Sequence, residues 1–184
     1  MSELFLSLPD LSALTPEQQR VAEAVAAGPR GEVRGPVRLW LHSPELADRA
    51  QKLGEFFRLG TTLPQRLCEL AILVTARHYG CDYIWFNHSR VALKQGIAPD
   101  VIEAIRTART PRLDDAADQL VYDFVHSVLR GGKVTPPLRT AAIDMLGERG
   151  VVELGALVAH YFSGAIVLGL SSVPLPDGSR TCLD

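Results

Sequence analysis

RLCELAILVTARHYGCDYIWFNHSR, residues 66–90, sets one carboxylate, one thiol and one imidazole where a globular helix ordinarily buries apolar groups. Glu69 stands inside Leu67-Cys68-Glu69-Leu70-Ala71-Ile72-Leu73-Val74, a run with no polar face to carry it to water. Cys81, Ile84, Trp85 and His88 fall at i, i+3, i+4 and i+7, which is one stripe of a helix. Ile84 and Trp85 make that stripe apolar, so it is expected to face inward. A buried Glu beside a buried His is costly unless the two serve each other. Glu69 and His88 are therefore the leading site candidates.

Outward from this stretch, prolines mark helix starts. Pro16, Pro44, Pro64, Pro99 and Pro136 each sit where the first helical residue needs no amide hydrogen. Gly28, Gly60, Gly80, Gly96 and Gly131-Gly132 read as left-handed caps closing the segments. The pattern predicts helices at 16–27, 44–58, 64–79, 82–95, 99–108, 114–130, 136–148 and 151–170. No stretch alternates as a strand does; Val33–Leu41 comes nearest, and Gly35-Pro36 breaks it. The expected class is all-α, with sequential helices packed as antiparallel hairpins. The turn-rich tail from Pro174 is expected to lie outside the core.

The 184 residues suit one domain, 1–184, with an N-terminal helical extension and a short tail. A net charge of −2 and pI near 6.2, with scattered Lys and Arg, give no reason to expect nucleic acid or an anionic membrane as partner. The first residues lack the basic start of a secretory signal. Val151–Val173, the most apolar segment, holds Glu153 and His160 and is expected to be a buried helix, not a membrane span. Cys68, Cys81 and Cys182 show no zinc spacing and no even pairing, so a reducing cytoplasm is the expected setting.

Cys81 has two readings. At a helix start its thiolate would be stabilised; as a small apolar residue it would be inert. His88 is the natural proton carrier, because histidine needs least pKa adjustment near neutrality. Arg66 and Arg77 flank Glu69 and either hold a substrate carboxylate or are surface charges. His160-Tyr161 reads as core packing before cavity lining. The histidines and carboxylates form no metal spacing, and glycine-rich phosphate loops are absent.

Arg66–Ile105, with its Arg-x-x-Glu-Leu start, aliphatic helix, Cys81, Asp82-Tyr83, Trp85 and His88, resembles the carboxymuconolactone decarboxylase family. WLHSPELADRAQKLGEFFRLG and VVELGALVAHYFSGAIVLGLSSVPLPDG are similar to it as well. The resemblance implies a helical bundle of the alkylhydroperoxidase D-like type, about eight helices, and a ring-like homo-oligomer, trimer or hexamer. The apolar helices 64–79 and 151–170 are expected to contribute subunit contacts.

Two chemistries are implied: decarboxylation of a lactone acid in aromatic catabolism, and peroxide reduction through Cys-x-x-Cys-x-x-x-His with a Glu from the preceding helix. Here the first Cys is Cys81, the His is His88 and the Glu is Glu69, while Ile84 takes the place of the second thiol. The expectation is thus a lyase acting on a small organic acid or lactone, with Glu69, His88 and Cys81 as catalytic residues. Tyr83, Trp85, Arg66 and Arg77 are the expected substrate contacts. No metal or organic cofactor is implied. A thiol peroxidase using Cys81 and a non-catalytic small-acid binder are the alternatives.

Overall fold

The computed structural model describes residues 6–171, 173–179 and 181–183; residues 1–5, on which the expectation about a secretory signal rests in part, lie outside it. The helices are α1 (Pro16–Ala27), α2 (Pro36–Trp40), α3 (Pro44–Leu59), α4 (Gln65–Tyr79), α5 (Asp82–Lys94), α6 (Pro99–Arg106), α7 (Ala116–Leu129) and α8 (Pro136–Gly169). Among the described residues there is no strand, and the fold is all-helical.

α4 is the axis of the molecule. Its residues from Leu67 to Ala76 are buried without a break, and it packs against α5, α6, α7 and α8. Leu70, Ile72 and Leu73 are almost wholly enclosed, and each such side chain stabilises the fold by about 1.5–3 kcal/mol. The all-round apolarity that predicted subunit contacts for helix 64–79 is consumed within the chain itself. A polar side chain within Leu67–Ala76 must find its partner inside.

Gly80 supplies the turn from α4 into α5. Its φ of 74° is left-handed, and the next amide, Cys81 N–H, closes back on the Ala76 carbonyl at 2.9 Å. A side chain there would be strained. Gly28 (φ −86°) and Gly60 (φ −118°) are not left-handed, so those two helices end without the expected glycine geometry. Val33–Leu41 contains a short helix, because Pro36 starts α2 once Gly35 (φ 57°) has turned the chain. Val37, Trp40 and Leu41 then close a small separate core with Val21, Val25 and Ala47.

α8 joins the two predicted helices 136–148 and 151–170 across a break at Gly147 (φ 68°, ψ 165°). By length and composition it is the one described helix able to cross a bilayer. Its Leu154, Leu157, Val158, Ala165 and Leu168 are buried in the protein core. The tail is not outside the core either. Leu175 is buried, and Asp82 Oδ1 accepts from Cys182 N (2.6 Å), Leu183 N (2.8 Å) and Thr181 Oγ1 (2.9 Å). One carboxylate at the start of α5 satisfies three donors, which holds the chain end down.

Glu153 shows the same device on α8. Its Oε2 accepts from Thr62 N, Thr62 Oγ1 and Thr61 Oγ1, and its Oε1 accepts from Arg149. Burial opposes the charge, but these donors outweigh it and hold the carboxyl at about 2, below the ordinary 4.5. A folded pKa below the unfolded one gives stability that is complete above pH 4.5 and lost as pH falls toward 2. Glu153→Gln should destabilise the fold by about 1–3 kcal/mol at neutral pH and flatten the acid limb of a thermal-melt profile. An unchanged acid limb would refute the role.

Candidate active site

Glu69 lies near the start of α4 and His88 in the middle of α5, so the α4–α5 hairpin folds one onto the other. His88 Nδ1 is 2.8 Å from Glu69 Oε2, and only 5% of Glu69 is exposed. An ionised carboxylate is an acceptor only, so it sets the ring proton on Nδ1. The Nε2 lone pair is then the one left for chemistry.

Both side chains line a cavity of about 450 Å³, together with Tyr83, Ile84 and Tyr161. The Tyr161 ring stands edge-to-face on His88, centroids 4.9 Å apart and planes at 86°. His160 follows, 5.4 Å from Tyr161 and 5.9 Å from Trp40. Burial first, then the Arg30 and Arg58 cations and His88, push His160 down to about 4. It is neutral at pH 7, and a hydrogen-bonding group only. Burial, reinforced by the Glu69 charge, raises Tyr161 well above an ordinary phenol, so it too stays protonated.

Tyr83 reaches the cavity past Gly35. A Cβ on Gly35 would lie 2.6 Å from Tyr83 Cε1, and its backbone is already left-handed at φ 57°. Glycine is therefore required there on both counts. Asn87 donates its amide to the Tyr83 carbonyl at 2.7 Å, which braces the same turn of α5.

The remaining sequence candidates are elsewhere. Trp85 is buried in the main hydrophobic core and does not line the cavity. Arg66 is committed to Asp118 through two parallel contacts, Nη1–Oδ1 at 2.6 Å and Nη2–Oδ2. Arg77 does not line the cavity. The arginines that do are Arg30, Arg34 and Arg58. They arrive from the α1–α2 linker and the end of α3, and nothing in the pattern of either segment marks them. His160-Tyr161, read from sequence as core packing, lines the cavity.

Cys81 opens into a second cavity, under the tail, with Leu175 and Ser179. It precedes α5 directly, and the Ile84 and Tyr83 amides do favour its thiolate. Burial is the larger effect and raises the thiol, contrary to the activated reading. Cys68 and Cys182 are both pushed up to about 12, by burial first. Among the described residues no group of His, Cys, Asp and Glu is arranged to hold a metal.

Residues 44–123 match the model of the carboxymuconolactone decarboxylase family. In fold, the chain is similar to a crystal structure of an uncharacterized peroxidase-related protein from Silicibacter sp. TM1040. The TM-score is 0.73 at 16% identity, over 94% of this chain and 92% of that one. At that identity the likeness is one of fold. Among curated proteins none matches by sequence.

Proposed function

With residues 44–123 matching the model of the carboxymuconolactone decarboxylase family, we propose that this chain is an acid–base enzyme acting on a small organic acid or lactone. What supports the reading is the 2.8 Å Glu69–His88 contact at the wall of a cavity that no thiol lines. In a decarboxylation the C–C bond to the carboxylate breaks, CO2 leaves, and the electron pair enters a conjugated carbonyl as an enolate. Protonated His88 then delivers the proton to carbon from Nε2. Glu69 holds Nδ1–H, stabilises the imidazolium before transfer, and water restores the proton. A proton shift uses the same two groups without loss of CO2.

The test is a screen of small unsaturated carboxylic acids and lactones with the purified protein, read by CO2 release and by deuterium uptake in heavy water. Turnover of at least one compound that disappears in His88→Gln is expected. Turnover that survives His88→Gln, or none across the screen, would reject the proposal.

One observation favours a thiol reaction instead: the tail brings Cys182 to the start of α5, its Sγ 3.3 Å from the Asp82 carbonyl oxygen. The raised Cys81 and Cys182 thiols weigh against it. Hydrogen peroxide consumption with an added dithiol, lost in Cys81→Ser, would bring that reading forward.

We also propose a homo-oligomer, trimer or hexamer, in a reducing cytoplasm. Leu59 and Val152 are 68% and 70% exposed, and Leu46, Ile143 and Met145 are also uncovered. Light scattering at micromolar concentration should give a mass well above the 20.1 kDa of one chain. A monomer would count against it.

A further inference from the structure

Three arginines and a single carboxylate line the Glu69–His88 cavity. That carboxylate, Glu69, is taken by His88. Arg34 is engaged as well, with its guanidinium 2.8 Å from Glu32 near the surface. Arg30 and Arg58 meet no carboxylate at ion-pairing distance among the described residues. Arg30 Nε is buried with no hydrogen-bond partner. A buried donor without an acceptor costs about 1–3 kcal/mol, more when the group is charged. The neighbouring Arg58 cation adds repulsion on Arg30.

The linker that carries Arg30 is held in place. Gly31 (φ 74°) and Gly35 (φ 57°) bend it, and Tyr83 presses so closely on Gly35 that no side chain fits between. Neutral His160 lies beside both arginines and adds no charge of its own. Trp40, Tyr161 and Ile84 add apolar and aromatic wall to the same cavity. An anion offering two oxygens in one plane matches the guanidinium fork, and a flat apolar body matches the rest.

We propose that Arg30 and Arg58 form a carboxylate clasp, which holds the anionic end of a flat, unsaturated carboxylic acid while its body reaches His88. Arg30 lies outside the matched residues 44–123, so substrate choice is set partly by the N-terminal segment. The clasp rests on the acid–base reading for its purpose, but its binding can be measured without turnover.

The probe is benzoate, titrated calorimetrically into the full chain beside its neutral isostere benzamide and beside inorganic phosphate. Benzoate should bind at least about tenfold more tightly than benzamide or phosphate. Arg30→Met and Arg58→Met should each weaken benzoate by about tenfold or more. If either fails to fold, Arg30→Lys and Arg58→Lys keep the charge, lose the fork and should still weaken binding measurably. Failure to bind at millimolar concentration, equal binding of benzamide, tighter binding of phosphate, or indifference to both arginines would each overturn the clasp. Benzoate binding that needs both arginines, in a protein inert in the acid screen, would instead reject the acid–base function and leave the clasp standing.

Discussion

Glu69→Gln is expected to lower turnover of the acid found by screening by roughly 10²–10⁴-fold, with the melting temperature little changed. The amide matches the carboxylate in size and can still accept from His88 Nδ1. What it lacks is the negative charge that offsets the charge on the ring during proton transfer. Tyr161, packed edge-to-face on His88, offers no compensating charge, because burial keeps its phenol protonated. His88→Gln should cost as much, and the double variant scarcely more than either single one, since the two groups act as a unit. A loss below about tenfold, or fully additive losses, would separate Glu69 from the chemistry.

Asp118→Ala carries a large expected cost in stability. Asp118 is 4% exposed in the first turn of α7 and accepts both arms of Arg66, which ties the start of α4 to the start of α7. Removing Asp118 leaves the Arg66 guanidinium, its side chain 35% exposed, without its carboxylate, and water offsets part of that, so the loss is about 1–3 kcal/mol. For a chain of this size that lowers the melting temperature by roughly 2–12 °C. Arg66→Met with Asp118→Leu should recover much of it, because an apolar pair of similar volume has no charge to desolvate. Neither residue lines the cavity. Catalysis well below the melting point should be unaffected, which distinguishes a tie between helices from the substrate anchor that the sequence suggested for Arg66. A melt unchanged in Asp118→Ala would refute the tie.

The helices were legible because proline and glycine punctuation is local. Pro16, Pro44, Pro99 and Pro136 begin helices where they stand. α2 was hidden because five residues are too few to show a period, and Gly35-Pro36 reads as an interruption until the chain is seen to turn there. Glu69 and His88 were legible for an energetic reason: a charge in an apolar run needs a partner, and the turn at Gly80 leaves one helix to supply it.

The arginines were not legible in that way. Arg66 and Arg77 are near Glu69 along the chain, yet side chains on a buried helix point in every direction. Arg66 points at α7, away from the cavity. Arg30 and Arg58 reach the cavity only because the α1–α2 linker and the end of α3 fold over it. Cys81 illustrates the same limit. Its position before α5 was readable, and position alone favours a thiolate. Its burial was not readable, and desolvation is the larger of the two effects.

By itself the sequence determined an all-helical chain whose central hairpin pairs a buried carboxylate with an imidazole, because periodicity and the cost of a lone buried charge act over neighbouring residues. Only the tertiary structure decided which cations face that pair, which thiol is shut away from it, and that α4 is covered by its own chain. Those outcomes depend on contacts between segments far apart in sequence, where no local pattern records which side chain will arrive.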